Sequence, residues 1–397
     1  MGFILSAENV VEFLQEKQVC SSQFQLKEIV NKESKNFNLV VRGEGFPSYL
    51  VKQNRVDSKG RTSGHLITEW LLQELIHRYD YLAPIQPLIS EVALFDRPNS
   101  VLVSVYYDDY MALDDYYETA ASYPPQVASA VGSNLATVHR ATYEKQELKD
   151  FLGQYFKIDN GTKPPGFIRR LNSLSPAIFG EVCPDGLTFY KLYQRFPSLN
   201  ESILELFSKV EPSCLTHNDL TLDNFIIQRS LLGGVAHSLQ PEQVKIIDWE
   251  LIYWADPATD LGMLVSQYLG EWLNSLVADP NLDLNTILSL ASCPLETITP
   301  SLQALALSYL ETFPEILSHR PDFLRRIVQH AGIGIINRLS YYVEYHYPFD
   351  NENLCKLQVA KNLLCNPEAS MVTLFGKSEA QLKQHAKDSN QRSLART

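Results

Sequence analysis

The chain has 397 residues, 45% of them apolar and 20% charged, a balance that excludes disordered and fibrous classes and fits a soluble globular protein. Acidic residues outnumber basic ones 46 to 34, for a net charge of −12. This argues against a nucleic-acid partner, which needs a basic surface, and permits a cationic small substrate. Six dispersed cysteines form no CxxC pair or Cys/His cluster, so free thiols in a reducing cytoplasm are expected rather than zinc. No uncharged apolar run is long enough to span a membrane, so no membrane association is expected.

Residues 7–18 read as a short amphipathic helix, with Val10, Val11 and Leu14 on one side. Three strand-like runs follow, Phe24–Val30, Phe37–Arg42 and Tyr49–Gln53, separated by the polar turns NKESKN and GEGFPS. They predict an antiparallel meander. A helix is expected over Gly64–Arg78, where Leu66, Trp70, Leu71 and Ile76 recur near period 3.6. Strands should recur at Glu91–Phe95 and Ser100–Tyr106. The acidic, aromatic run from Tyr106 to Glu118 reads either as a solvated linker or as a rim that draws a cation to a cleft through Asp108, Asp109, Asp114 and Asp115.

Beyond Tyr107 the pattern turns helical. A helix is expected over Gln126–Thr142, short strands at Phe225–Gln228 and Val244–Ile247, and helices from Asp260 to Ser370. The reading is α+β: a small lobe of strands and one helix over 1–106, a larger, mainly helical lobe over 107–376, and a polar, disordered tail over 377–397.

The chemistry concentrates in two stretches. LTHNDLTLDNFIIQ (215–228) places His217, Asp219 and Asn224 as H-x-D-x-x-x-x-N, and VKIIDWELIYWADPATDLG puts Asp248 directly after a short apolar strand. Two carboxylates and an amide so placed suit phosphoryl transfer. One acid orients the attacking hydroxyl, while the amide and the other acid hold magnesium against phosphates.

These stretches resemble the aminoglycoside phosphotransferase family, the choline-kinase-like branch of the protein-kinase-like fold. The family's His-Gly-Asp-x-x-x-x-Asn reads HNDLTLDN here, its Ile-Asp-Trp/Phe-Glu…Asp-Pro-x-x-Asp-Leu reads IDWELIYWADPATDL, and its Gly-x-x-Leu-x-x-Leu-His helix reads GSNLATVH at Gly132–His139. The resemblance implies a two-lobe fold, with a small antiparallel sheet lobe carrying one helix and a larger, mainly helical lobe. It implies ATP and Mg²⁺ as cofactors, Asp219 as the catalytic acid–base group, and Asn224 and Asp248 as metal ligands. His217 would brace the catalytic loop.

By the same resemblance Lys52, in the third strand, contacts phosphates and pairs with an acid of the following helix. Glu69, seventeen residues on, is favoured by helical phase over Glu74. Val103–Tyr107 would form the hinge, with Val105 and Tyr107 at the base. The NKESKN turn lacks the glycines of the protein-kinase loop, so Ser34 or Asn36 and backbone amides would hold phosphates. Asn218 stands where the family has glycine. Asp256 and Asp260 read as caps and loop braces, and His139 as a core histidine.

The implied activity is transfer of the γ-phosphate to a hydroxyl of a small molecule, such as an amino alcohol, sugar or aminoglycoside, by a monomer or homodimer. A Ser/Thr kinase acting on a peptide in natural-product maturation, and a non-catalytic nucleotide-binding protein of the same fold, are the alternatives.

Overall fold

A computed structural model describes residues 3–32, 35–55, 65–158, 161, 163–172, 183–234, 239–277, 279, 281–282, 284–344 and 349–394. After helix α1 (Val10–Glu16), five strands form one antiparallel sheet: β1 (Leu26–Lys32), β2 (Phe37–Gly43), β3 (Ser48–Gln53), β4 (Val92–Asp96) and β5 (Val101–Tyr106), in the order β1-β2-β3-β5-β4. Helix α2 (Leu66–Arg78) interrupts the strands between β3 and β4.

Alternation along the strands gives this sheet two different faces. Leu39, Val41, Tyr49, Val51, Val101 and Val103 point outward and are buried beneath α1 with Val10, Phe13 and Leu14. The opposite face carries Asn38, Leu50, Lys52 and Ser104, which line a cleft. The register explains the grouping: Lys52 sits opposite Asn38, and Leu50 opposite Ser104. A one-residue slip would bury Lys52 under α1 and turn the valines into the cleft.

The second lobe is mainly helical. Helix α3 (Leu113–Ala120) follows a short strand β6 (Tyr110–Ala112), and helix α4 (Pro125–Thr142) runs along the Leu295–Thr312 helix. Gly132 makes that approach possible, because a Cβ there would lie 2.3 Å from the Leu305 carbonyl oxygen. Two small sheets complete the lobe. β7 (Cys214–Thr216) pairs with β10 (Tyr253–Ala255), and β8 (Phe225–Gln228) lies between β6 and β9 (Val244–Ile246).

Two expectations change. The run after Tyr106 is not a linker: Tyr110, Leu113, Tyr116 and Tyr117 are buried, so it folds as β6 and α3 on the second lobe. The tail is not disordered over its length either. Glu379–Leu394 is helical, buries Leu382 and Ala386, and is held by Lys383 to the Pro321 carbonyl at 2.8 Å and by His385 to Glu311 at 2.9 Å. Among the described residues no helix is long and apolar enough to cross a membrane.

Candidate active site

The cleft between the sheet and the helical lobe has a volume of about 490 Å³. On its upper wall the Lys52 ammonium is 2.6 Å from Glu69 Oε1 and 2.5 Å from Asp248 Oδ1. One lysine thus joins β3, α2 and the end of β9. Lys52 and Glu69 are both buried, and removing either would strand a buried charge at a cost of about 3–5 kcal/mol. Burial disfavours the Lys52 charge, but Glu69 and Asp248 outweigh it and hold the ammonium above its ordinary range. Burial pushes the Glu69 carboxyl up to about 7 against the pull of Lys52. Glu74 is exposed on the far side of the helix.

Asp248 follows β9 in a left-handed conformation, with φ 63°, which an L-residue adopts at a cost of roughly 1–3 kcal/mol. Burial opposes its charge, yet Lys52, then His217 and Lys35, bring its carboxyl below the usual range. The next residues dock α2: the Thr68 hydroxyl donates to the Glu250 carbonyl at 2.6 Å, one position before Glu69. The helix that presents Glu69 is therefore anchored to the segment that presents Asp248.

The floor of the cleft is the loop after β7. Its backbone amides at His217 and Asn218 donate to the two oxygens of Asp260, at 2.6 and 2.9 Å. Asp260 is fully buried and also meets His139 Nε2 at 3.2 Å, while His139 Nδ1 meets the Tyr309 hydroxyl at 2.8 Å. The His217 ring reaches the Ile247 carbonyl at 2.8 Å, just before Asp248. Asn218 has φ 62°, which explains the family's glycine there. Asparagine tolerates this backbone, and its amide bonds the Thr216 hydroxyl and the Leu251 carbonyl. Asp256 caps the Pro257–Leu273 helix and pairs with buried Arg326 at 2.7 Å.

Asp219 projects from this braced loop. Burial raises its carboxyl above the ordinary aspartate range, with Asp248 and Glu250 adding to the rise while His217 and Lys35 oppose it. The Asn224 amide donates to the Asp219 carbonyl at 2.7 Å, which turns its side-chain oxygen the other way, and its own carbonyl accepts from the Ile247 amide at 2.9 Å. Asn224 and Asp248 both line the cleft.

Val105 and Tyr107 also line it, but the Val105 amide already donates to the Glu91 carbonyl at 2.9 Å, so it cannot donate to a base. Tyr107 is held from behind by the Lys245 ammonium, 5.1 Å from its ring centre. Ser34 lies outside the described residues. Of the acidic run, Asp108 is bound to Arg42 at 2.6 Å, whereas Asp115 faces the cleft beside Asp223.

Two residues to which the motifs assigned no role, Glu250 and Lys35, also enter the site. Glu250, 1% exposed, accepts from the Asn36 amide at 3.0 Å and forms an ion pair with Lys35. Both partners come from the turn between β1 and β2. The segment that leads into β9 is tied down as well: α4 Asn134 donates to the Pro241 and Val244 carbonyls at 2.9 and 2.8 Å.

The fold is shared with solved kinases. A choline/ethanolamine kinase family protein from Mesorhizobium loti is 14% identical, with 95% of this chain and 98% of that chain covered and a TM-score of 0.50. Choline kinase from Cryptosporidium parvum is 11% identical over 92% and 96%, TM-score 0.48, and a putative fructosamine-3-kinase from Thermobifida fusca is 14% identical over 90% and 99%, TM-score 0.45. No curated protein matches the chain significantly. The model of the phosphotransferase enzyme family matches residues 71–285, more than half of the sequence, and the chain belongs to that family.

Proposed function

We propose that this phosphotransferase moves the γ-phosphate of ATP to a hydroxyl of a small molecule, with residues 1–106 binding the nucleotide and 107–376 supplying the catalytic loop and the acceptor site. The observation that carries the reading is the convergence of Lys52, Glu69, Asp248 and Asn224 on one cleft, with the Asn224 amide bonded to the backbone carbonyl of Asp219. Phosphoryl transfer passes through a loose transition state, so the protein mainly positions groups and balances charge. Lys52, held by Glu69, meets the phosphates. Asp219 aligns the acceptor hydroxyl and takes its proton.

The donor set also suits magnesium: an amide oxygen from Asn224 and a carboxylate from Asp248 are hard ligands, and an ion of that kind takes its other ligands from phosphates and water. When bound, it would neutralise charge on the phosphates. Asp115 and Asp223 on the cleft wall support an acceptor that carries an amine. The test is a nucleotide-consumption screen of the whole chain against amino alcohols, sugars, aminoglycosides and Ser/Thr peptides, with magnesium present. Turnover with a small hydroxyl compound supports the reading. Turnover confined to peptides, or none in any class, contradicts it.

A further inference from the structure

We infer that Lys35 is a second phosphate-contacting cation of the cleft, one that engages the terminal phosphate of a nucleoside triphosphate and is stationed by Glu250. This rests on the nucleotide reading above and adds a residue to it. Lys35 lies in the turn that covers the cleft, and its ammonium pairs with Glu250 while the neighbouring Asn36 takes the other oxygen of the same carboxylate. It shares the cleft lining with Lys52, Asn224 and Asp248. Asp219, Asp248 and Glu250 all act on its charge.

Three features single out this lysine. First, the NKESKN turn has no glycine, the residue whose missing side chain lets a loop's backbone come closest to phosphates. A long cationic side chain reaches further than a backbone amide. Second, the other cations of the cleft are placed differently. Lys52 is buried between Glu69 and Asp248, Lys32 stands 5.3 Å from the centre of the Tyr106 ring, and Arg229 directly follows β8, with its backbone amide bonded to the Asp109 carbonyl at 2.8 Å.

Third, Glu250 is a fixed post and Lys35 is not. The carboxylate is 1% exposed and its backbone carbonyl is bonded to Thr68, whereas the Lys35 side chain is 57% exposed. The ammonium can pivot toward a phosphate while Asn36 keeps its hold on Glu250.

The experiment is titration calorimetry of the intact chain with magnesium–ADP and with the non-hydrolysable magnesium–imidotriphosphate analogue of ATP. The wild type should prefer the triphosphate analogue. Lys35→Ala should lose roughly tenfold or more of that preference, the size of one charge-assisted hydrogen bond, while ADP affinity stays within about twofold, the scatter expected for an exposed change. Lys35→Arg should restore most of the preference.

Two results would overturn the assignment: an unchanged preference in Lys35→Ala, or equal losses for both nucleotides, as a simple brace between the lobes would give. Equal wild-type affinity for both nucleotides would also remove the role. A wild type that binds neither nucleotide refutes the nucleotide reading itself and Lys35's part in it, so the two failures are told apart.

Discussion

Below the cleft, the amides of His217 and Asn218 end on one carboxylate, Asp260, that is fully buried and backed by His139. Above it, the β1–β2 turn reaches the helical lobe through Asn36 and a lysine whose side chain is 57% exposed. Charge-assisted hydrogen bonds away from water are strong and leave few alternatives. An ion pair whose lysine is half exposed to water is weaker and partly screened by salt. The floor therefore holds Asp219 in one place relative to Asp248, while the roof can give as a nucleotide enters and its phosphates settle. On the proposed reading, rigidity sits under the acid that would align the acceptor hydroxyl, and compliance sits over the nucleotide.

Changing the acting group on the floor should have the largest effect. Asp219→Asn is expected to lower turnover by roughly 10²–10⁴-fold, the usual contribution of a positioned acid–base group, with nucleotide affinity unchanged by calorimetry. A variant that keeps wild-type turnover on the true acceptor would remove Asp219 from the chemistry.

Cutting the brace comes next. Asp260→Ala strands two backbone amides and a histidine, and should cost about 3–5 kcal/mol in urea unfolding. Although burial disfavours its charge, His139 and His217 hold the Asp260 carboxyl below its ordinary value. Its stabilisation is therefore fully present above the unfolded aspartate value of about 3.9 and fades as pH falls through the lower folded value. Acid unfolding curves of the wild type should show this loss, and those of Asp260→Ala should not.

The roof should behave differently. Lys35→Ala should change unfolding free energy by no more than about 1 kcal/mol, because the lysine is half exposed and Asn36 keeps its hydrogen bond to the buried Glu250 carboxylate. A loss comparable to that of Asp260→Ala would erase the contrast between the two halves.

A smaller effect links them. The Asp219 carboxyl lies above its ordinary range, so the acid limb of kcat/KM should fall above pH 3.9. Lys35 is one of the charges that lower it, so Lys35→Ala should move the limb to higher pH. A shift to lower pH, or none, would mean that Lys35 and Asp219 do not share one field.

Much of this contrast was legible in the chain. Alternation marked β2, β3 and β5, because one face of each is apolar and the other meets the cleft. The seventeen-residue step from Lys52 to Glu69 carried their pairing, since helical phase turns Glu69 to the sheet and Glu74 to solvent. Motif order brought Asp219, Asn224 and Asp248 together. What escaped has physical causes. β6, β7 and β10 are three residues each, too short to show a period, and they exist only through partners far along the chain.

Leu113, Tyr116 and Tyr117 did carry a helical step, but the aspartates between them masked it. The tail helix rests on little more than Leu382 and Ala386, and composition alone hides so thin a contact. Lys35 and Glu250 lie 215 residues apart, and nothing local in either segment announces the pair. The Val105 amide reads as a free hinge donor until β4 is paired and Glu91 takes it.

The central claim is that one cleft separates nucleotide holding, on Lys52, Asn224 and Asp248, from acceptor activation, on Asp219. The most direct measurement is binding of the magnesium–imidotriphosphate analogue to the wild type, Asp219→Asn and Asp248→Asn, with magnesium titrated in each. Asp219→Asn should bind as the wild type does, within about twofold, because it changes no nucleotide contact. Asp248→Asn should lose both the magnesium dependence and roughly tenfold or more in affinity, since a hard charged ligand has gone. Unchanged, magnesium-dependent binding in Asp248→Asn, or an equal loss in Asp219→Asn, would contradict that division of labour.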